Sequence, residues 1–252
     1  MNIFRTFWKS VREMFDDLFI LAIVNVLWVL INALALLIIV AALYTGSFGL
    51  VGLALLLSVV SFGPSNAGLY TIAERITEGR TSSWRDFIAG LRANAKLSWQ
   101  VYGLWMFGLV VFLFNLQFYS LNGSSLNAFL MVLFLYLLVV WFGILIYIGP
   151  LMLIQTDKRI RVIARNAGLM TFGRPLFTLG TLILMAIIFV TSIWLVILLF
   201  IITFSFLALW GFRATLTLIA EADARRNQAA EKAAQADAEP AKGRGGQVRP
   251  RE

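Results

Sequence analysis

The sequence predicts an all-α membrane protein, a polytopic helical bundle, and two observations carry that prediction. Hydrophobic residues make up 60% of the 252 residues and charged residues only 13%, whereas charged residues form about a quarter of a typical soluble domain. Charged residues are also absent from three long stretches, residues 18–73, 97–156 and 175–212. A bilayer rather than water is therefore the solvent that this composition fits.

The three uncharged stretches set the number of crossings. A helix needs roughly 20 apolar residues to cross the hydrocarbon, so the first two stretches each have room for two crossings. The third holds two only if its helices extend into residues 171–173 and past Arg213, whose long side chain can reach the interface. We expect six transmembrane helices, paired as three hairpins, at residues 18–44, 48–72, 97–119, 126–155, 171–192 and 194–218.

Turn-forming residues mark two of the three hairpin tips. A Thr-Gly-Ser run at residues 45–47 marks the first tip, and residues 120–125, which include Asn122 and Gly123, mark the second. The third tip has only the Thr, Ser and Trp of residues 191–194. Five crossings with one long final helix are therefore an alternative.

Every charged residue lies on the side of the hairpins opposite the tips. The loops at residues 74–96 and 157–174 each carry five Lys or Arg residues. By the positive-inside bias, these loops and both termini are expected in the cytoplasm. The net charge of +8 follows from that bias, with contact to anionic lipid headgroups as an addition, and we expect no nucleic-acid binding.

The domain organisation follows from these spans and from composition. At the N-terminus, apolar residues recur at helical spacing while Arg5, Lys9 and Arg12 occupy other faces, which predicts a helix lying in the membrane interface. The C-terminal segment changes from Ala, Glu and Arg to Pro, Gly and Arg. The predicted organisation is an interfacial amphipathic helix at residues 1–17, a transmembrane domain at 18–220 with cytoplasmic loops at 74–96 and 157–174, a cytosolic helix extension at 221–238 and a disordered tail at 239–252.

A proline motif stands where the second span approaches the cytoplasm. Pro64 removes one backbone hydrogen bond and clashes with the preceding turn, so Gly63 and Pro64 are expected to kink the span. Ser65 and Asn66 are placed to satisfy the freed backbone groups.

The loop that follows is expected to hold two amphipathic helices under the bilayer. Gly79 is expected to end the first as its C′ residue, and one of the hydroxyl residues 81–83 to cap the second. Four tryptophans near the charged segments are expected to form an aromatic belt at the inner interface: Trp8, Trp84, Trp99 and Trp210.

Two short sequence echoes suggest internal repetition. Gly63-Pro64 is echoed by Gly149-Pro150, and the Asn-Ala-Gly-Leu run at residues 66–69 recurs at 166–169. The two echoes require different offsets, so they leave the repeat register open.

Polar residues at membrane depth supply the candidate intramembrane site. Asn25 and Asn32 lie seven positions apart, so they share one face of the first helix with Trp28 between them. One interpretation is a polar face lining a path for a small solute. The other, which we favour, is that both amides join helices through hydrogen bonds.

Several classes of function are excluded by what the sequence lacks. The chain contains no Cys and no His, which removes thiol nucleophiles and the commonest metal ligands. No carboxylate or cation lies inside the uncharged stretches to relay protons or ions. We therefore expect no catalytic residues, no cofactor and no metal site, and do not expect an enzyme.

The first hundred residues resemble a known family. The resemblance rests on Asp17, Leu18, Asn25, Leu27 and Trp28, on residues 63–70, on Gly79 and on the Trp-Arg-Asp-Phe run at 84–87. These look like the YesL-like family, small bacterial integral membrane proteins of unestablished activity. Trp28 and Pro64 stand further apart here than in that family, so the family's short return segment is expected to be a full crossing.

The resemblance implies a functional context. Members often accompany carbohydrate uptake systems, including sugar ABC transporters, which implies a non-enzymatic accessory role in a bacterial inner membrane. The expected partners are the bilayer and a membrane transporter or a second copy of the chain. The candidate docking residues are in the first basic loop: Arg80, Trp84, Arg85, Phe87 and Arg92. The alternative is a permease or channel for a small solute, using the face of Asn25, Trp28 and Asn32.

Overall fold

The computed structural model describes residues 3–121 and 124–238. Within these residues the regular structure is helical and there is no strand, which confirms the all-α prediction. The helices are α1 (Ile3–Asp16), α2 (Leu18–Thr45), α3 (Phe48–Thr77), α4 (Trp84–Ala93), α5 (Ala95–Ser120), α6 (Ser125–Ile154), α7 (Ile160–Gly173), α8 (Pro175–Trp194), α9 (Val196–Leu198) and α10 (Phe204–Ala238). A π-helical segment, Leu199–Thr203, precedes α10 and is called the π segment below.

Six helical stretches of the described chain are long and apolar enough to cross a membrane, as the sequence predicted. They are Leu18–Thr45, Gly49–Thr77, Ala95–Ser120, Ser125–Ile154, Pro175–Trp194 and Val196–Gln235. Asn122 and Gly123, which we assigned to the second tip, lie outside the described residues.

The third hairpin is closed by a true tip. Leu195 leaves helical geometry, with φ −98° and ψ 70°. Two contacts across the tip show that the chain reverses after Leu195. The Phe189 and Phe204 rings lie 6.2 Å apart, and the Met185 side chain faces Gly211. The final crossing is therefore separate from α8, and the single long helix of the five-crossing alternative is not formed.

One order of elements occurs three times along the chain. Each time a short helix is followed by a single non-helical residue, an apolar helix running to a tip, and a return helix. The single residues are Asp17, Asn94 and Arg174. Pro64 and Pro150 occupy equivalent return helices, α3 and α6. Residues 66–69 lie in α3 but 166–169 in α7, so the proline register is the one that aligns equivalent helices.

The first basic loop contains one helix rather than two. α3 continues without interruption to Thr77, so the first of the two predicted loop helices is the end of this span. Gly79 has φ +70°, and the Arg80 N–H donates to the Arg75 carbonyl at 2.8 Å, which confirms the predicted C′ glycine. Ser83 is the N-cap residue of α4, and its N–H and hydroxyl both donate to the Asp86 carboxylate at 2.8 Å.

The second basic loop contains a helix, α7, that was not predicted. Ile163, Ala167 and Thr171 repeat at four-residue spacing and form its buried face. The spacing of these three residues favours a helix, whereas the five Lys and Arg residues of the segment favour an exposed loop.

Close approaches at glycine bring α3 to the centre of the bundle. A Cβ on Gly68 would lie 2.7 Å from the Phe87 ring of α4, and a Cβ on Gly149 of α6 would lie 1.9 Å from the Tyr70 ring. A Cβ on Gly63 would come within 2.9 Å of the Ser98 carbonyl oxygen of α5. The proline motif therefore packs α3 directly against three other helices.

The predicted aromatic belt is wrong for Trp210, which is fully buried. Its ring lies 5.0 Å from Phe7 of α1 and 6.2 Å from Phe206. The Arg213 guanidinium pairs with the Glu13 carboxylate beside this cluster. Aromatic contact and a largely buried ion pair thus fasten α1 to α10.

The chain divides into two compact units, Met1–Thr215 and Leu216–Glu252. The described part of the second unit, residues 216–238, is helical. It carries an exposed ion pair between Arg225 and Glu221, one helical turn apart. The predicted tail at 239–252 lies outside the described residues.

Candidate functional site

The Asn25 side chain forms hydrogen bonds to the backbone on both sides of the π segment in the last crossing. Its amide nitrogen donates to the carbonyls of Leu199 and Phe200 at 3.0 and 2.7 Å. Its carbonyl oxygen accepts from the backbone N–H groups of Phe204 and Ser205 at 2.8 and 3.0 Å. A π turn disturbs the regular i to i−4 pairing, and hydrocarbon offers no water to compensate. One buried side chain therefore bonds four backbone groups around the π segment.

Asn32 joins α2 to α3. Its amide nitrogen donates to the Trp28 carbonyl and to the Ser65 hydroxyl, both at 2.9 Å. Its carbonyl oxygen accepts from the Ser61 hydroxyl at 2.9 Å. The arrangement is a polar contact between two helices, buried in the first unit.

Trp28 lies between these two asparagines, as predicted. Its ring stacks on Phe204 with centroids 3.9 Å apart and meets Phe62 edge-on at 6.1 Å. The indole N–H is buried and has no hydrogen-bond partner among the described residues. The structure thus brings the three predicted residues onto one buried face, where both amides are engaged by other helices.

The carbonyl that Pro64 leaves without its helical donor belongs to Val60, four residues earlier. The indole N–H of Trp99 donates to it at 2.8 Å. Ser65 and Asn66, which were predicted to bond the freed backbone groups, both donate instead to the Phe62 carbonyl, at 3.1 and 2.8 Å. The compensating group therefore comes from α5 and not from the motif itself.

An open cleft of about 350 Å³ lies where α3, α4 and the end of α6 meet. We call this region, with the basic loops, the charged end of the bundle. The polar residues that line the cleft are Thr71, Glu74, Arg75, Asp86, Asn94 and Lys158. The sequence does not predict this cleft, because its lining residues come from three separate segments of the chain.

One ion pair and one helix cap lie among the residues that line the cleft. The Arg75 guanidinium donates to the Thr81 carbonyl at 2.6 and 3.1 Å and lies 3.5 Å from the Asp86 carboxylate. Hydrogen bonding by the Ser83 side chain is the main cause that lowers the pKa of Asp86 below its ordinary value. Asp86 is therefore an ionised cap for α4 as well as a partner for Arg75.

Lys158, which also lines the cleft, caps the last turn of α6. Its ammonium donates to the carbonyls of Met152 and Leu153, both at 2.8 Å. A cation placed there offsets the negative end of the helix dipole. Partial burial lowers the pKa of Lys158, opposed by the nearby Glu74 carboxylate.

The predicted docking residues divide between surface and interior. Phe87 is fully buried against Gly68, so it supports α4 and is not presented to a partner. Trp84 is half exposed, and the Arg85 guanidinium lies over its ring at 5.6 Å. Arg80 and Arg92 are also exposed. We call these four exposed residues, Arg80, Trp84, Arg85 and Arg92, the α4 surface.

The fold and its charged end define a multi-pass integral membrane protein. Among the described residues, no group of three metal-ligating side chains lies close enough to hold a metal ion. No family model, no curated protein and no solved structure matches the chain.

Proposed function

We propose that this membrane protein is a non-enzymatic accessory component of a transport system and that it docks on its partner through the α4 surface. The observation that carries the proposal is the contrast between its two candidate sites. The amides of Asn25 and Asn32 are engaged by other helices, whereas the four residues of the α4 surface are exposed. Other residues of α4 line an open polar cleft.

The chemistry of the α4 surface favours an acidic partner. Arg85 and Arg92 make no ion pair with a described residue, while Arg80 pairs with the exposed Glu78. An exposed Trp beside unpaired Arg residues is the residue combination enriched where proteins bind one another. The partner proposed is therefore a membrane protein with an acidic patch at the same side of the bilayer.

The orientation and the transport context belong to the same proposal. The positive-inside bias favours a cytoplasmic charged end, and the YesL-like resemblance implies carbohydrate uptake in a bacterial inner membrane. The permease alternative has less support, because the groups it would offer to a solute already bond to helices.

Affinity purification from native membranes in mild detergent, followed by mass spectrometry, tests this function. The expected result is a stoichiometric transporter subunit that is lost from the Arg85→Gln/Arg92→Gln variant. The matched control is Arg225→Gln/Arg226→Gln, which removes the same charge from the second unit and should retain the partner. Recovery of the unmodified chain without any transport component would overturn the proposal.

A further inference from the structure

A narrow apolar groove runs along the first unit where α5, α6 and α7 meet. Its volume is about 80 Å³ and its lining is almost entirely apolar. The lining residues include Leu104, Trp105, Trp141, Ile148, Ile160 and Ala164. Leu104 is 50% exposed, so the groove is open at the outer surface of α5.

A reciprocal pair of tryptophans makes the wall of this groove apolar. The Trp105 indole N–H donates to the Trp141 carbonyl at 3.1 Å, and the Trp141 indole N–H donates to the Trp105 carbonyl at 3.0 Å. Each ring thereby satisfies its polar atom against the other helix, and the groove meets hydrocarbon faces. An apolar groove of this kind excludes water and is complementary to a hydrocarbon chain.

Three exposed cations lie close in sequence to residues that line this groove, two of them in α7 and one at the start of α5. Arg161 follows the groove residue Ile160, and Arg165 follows Ala164, so both stand on the adjacent, exposed stripe of α7. Lys96 is the second residue of α5 and precedes the groove residue Leu104 by eight positions, or about two helical turns. None of the three cations makes an ion pair with a described residue, and α7 contains no acid.

We propose that the groove binds one acyl chain of an anionic phospholipid, whose phosphate is held by Arg161, Arg165 and Lys96. The apolar groove selects the chain, and the three cations select the charge of the headgroup. The site uses none of the α4 surface, so it is independent of the proposed partner. It would make an anionic lipid a specific ligand of this bundle and not merely its solvent.

Native mass spectrometry of the full chain in detergent tests the proposal, with phosphatidylglycerol and phosphatidylcholine of identical chains as probes. Phosphatidylglycerol should bind roughly 100-fold more tightly, since each of the three cations near its headgroup contributes about one kcal/mol. The Arg161→Gln/Arg165→Gln variant should bind it roughly 25-fold more weakly by the same reasoning. Its phosphatidylcholine binding should not change.

Two further variants and one competitor keep the test decisive. Arg225→Gln/Arg226→Gln removes the same charge elsewhere and should bind phosphatidylglycerol as the unmodified chain does. Ala164→Phe should fill the groove and abolish selective binding while the cations stay in place. Glycerol 3-phosphate, which carries the anion without a chain, should fail to compete. Equal affinity for the two lipids, unchanged binding by the double Arg variant, or full competition by glycerol 3-phosphate would overturn the proposal.

Discussion

The indole N–H of Trp99 donates to the Val60 carbonyl at 2.8 Å and so replaces the donor that Pro64 removes from α3. The replacement comes from α5, which approaches closely because Gly63 has no Cβ to meet the Ser98 carbonyl. The Gly-Pro pair therefore does two linked things. Pro64 leaves the Val60 carbonyl without its helical donor, and Gly63 leaves room for α5, which supplies the Trp99 donor.

This linkage predicts a non-additive double-mutant cycle. Trp99→Phe should lower the free energy of unfolding by about 1 kcal/mol, because the Val60 carbonyl loses its donor. In a Pro64→Ala background the backbone N–H returns, so the same substitution should lower it by much less. Unfolding in mixed detergent micelles measures all four variants. Equal effects of Trp99→Phe in both backgrounds would show that the indole does not serve the freed carbonyl.

Asn25 should contribute more to stability than an asparagine whose side chain bonds only within its own helix. Asn25→Leu strips four backbone groups near the π segment of their partner, which should lower the free energy of unfolding by at least ~2 kcal/mol. Asn115→Leu is the matched control, because that amide donates within its own helix to the Val111 carbonyl. The control should stay within about 0.5 kcal/mol of the unmodified chain. Similar unfolding curves for the two variants would contradict the bonding around the π segment.

The contact between α3 and α6 should be intolerant of a single methyl group. Gly149→Ala places a Cβ 1.9 Å from a carbon of the buried Tyr70 ring, so the helices must separate. We expect a loss of at least ~2 kcal/mol and a lower yield of monodisperse protein. Gly168→Ala meets no atom within 4 Å and should be neutral or slightly stabilising, because Ala favours helix over Gly. A stable Gly149→Ala variant with an unshifted melting temperature would contradict this packing.

The crossings could be predicted because the absence of charge over about 20 residues is a local property of composition. The C′ role of Gly79 was equally local, since only its own backbone angle and the next turn decide it. The π segment has no such signal. Its residues, Leu-Phe-Ile-Ile-Thr, suit a regular apolar helix, and Asn25, which bonds around it, lies 174 residues away in the chain from Leu199.

The positions of site residues could be predicted where helical spacing alone determines them. They could not be predicted where contacts between helices determine them. Helical spacing placed Asn25 and Asn32 on one face correctly. It could not place Phe87 in the interior, because that depends on Gly68 of a different helix leaving room for the ring. The cleft beside α4 depends in the same way on Lys158, which folds back over the end of α6.

Cysteine labelling in intact cells tests the central claim that three hairpins place every charged segment on the cytoplasmic side. The chain has no native cysteine, so each substitution gives a single site. Thr45→Cys, Ser124→Cys and Trp194→Cys should react with a membrane-impermeant maleimide from outside. Ser82→Cys and Gln228→Cys should react only after the membrane is permeabilised. Labelling of Ser82→Cys or Gln228→Cys in sealed cells would contradict the orientation and, with it, docking of the α4 surface on a cytoplasmic patch.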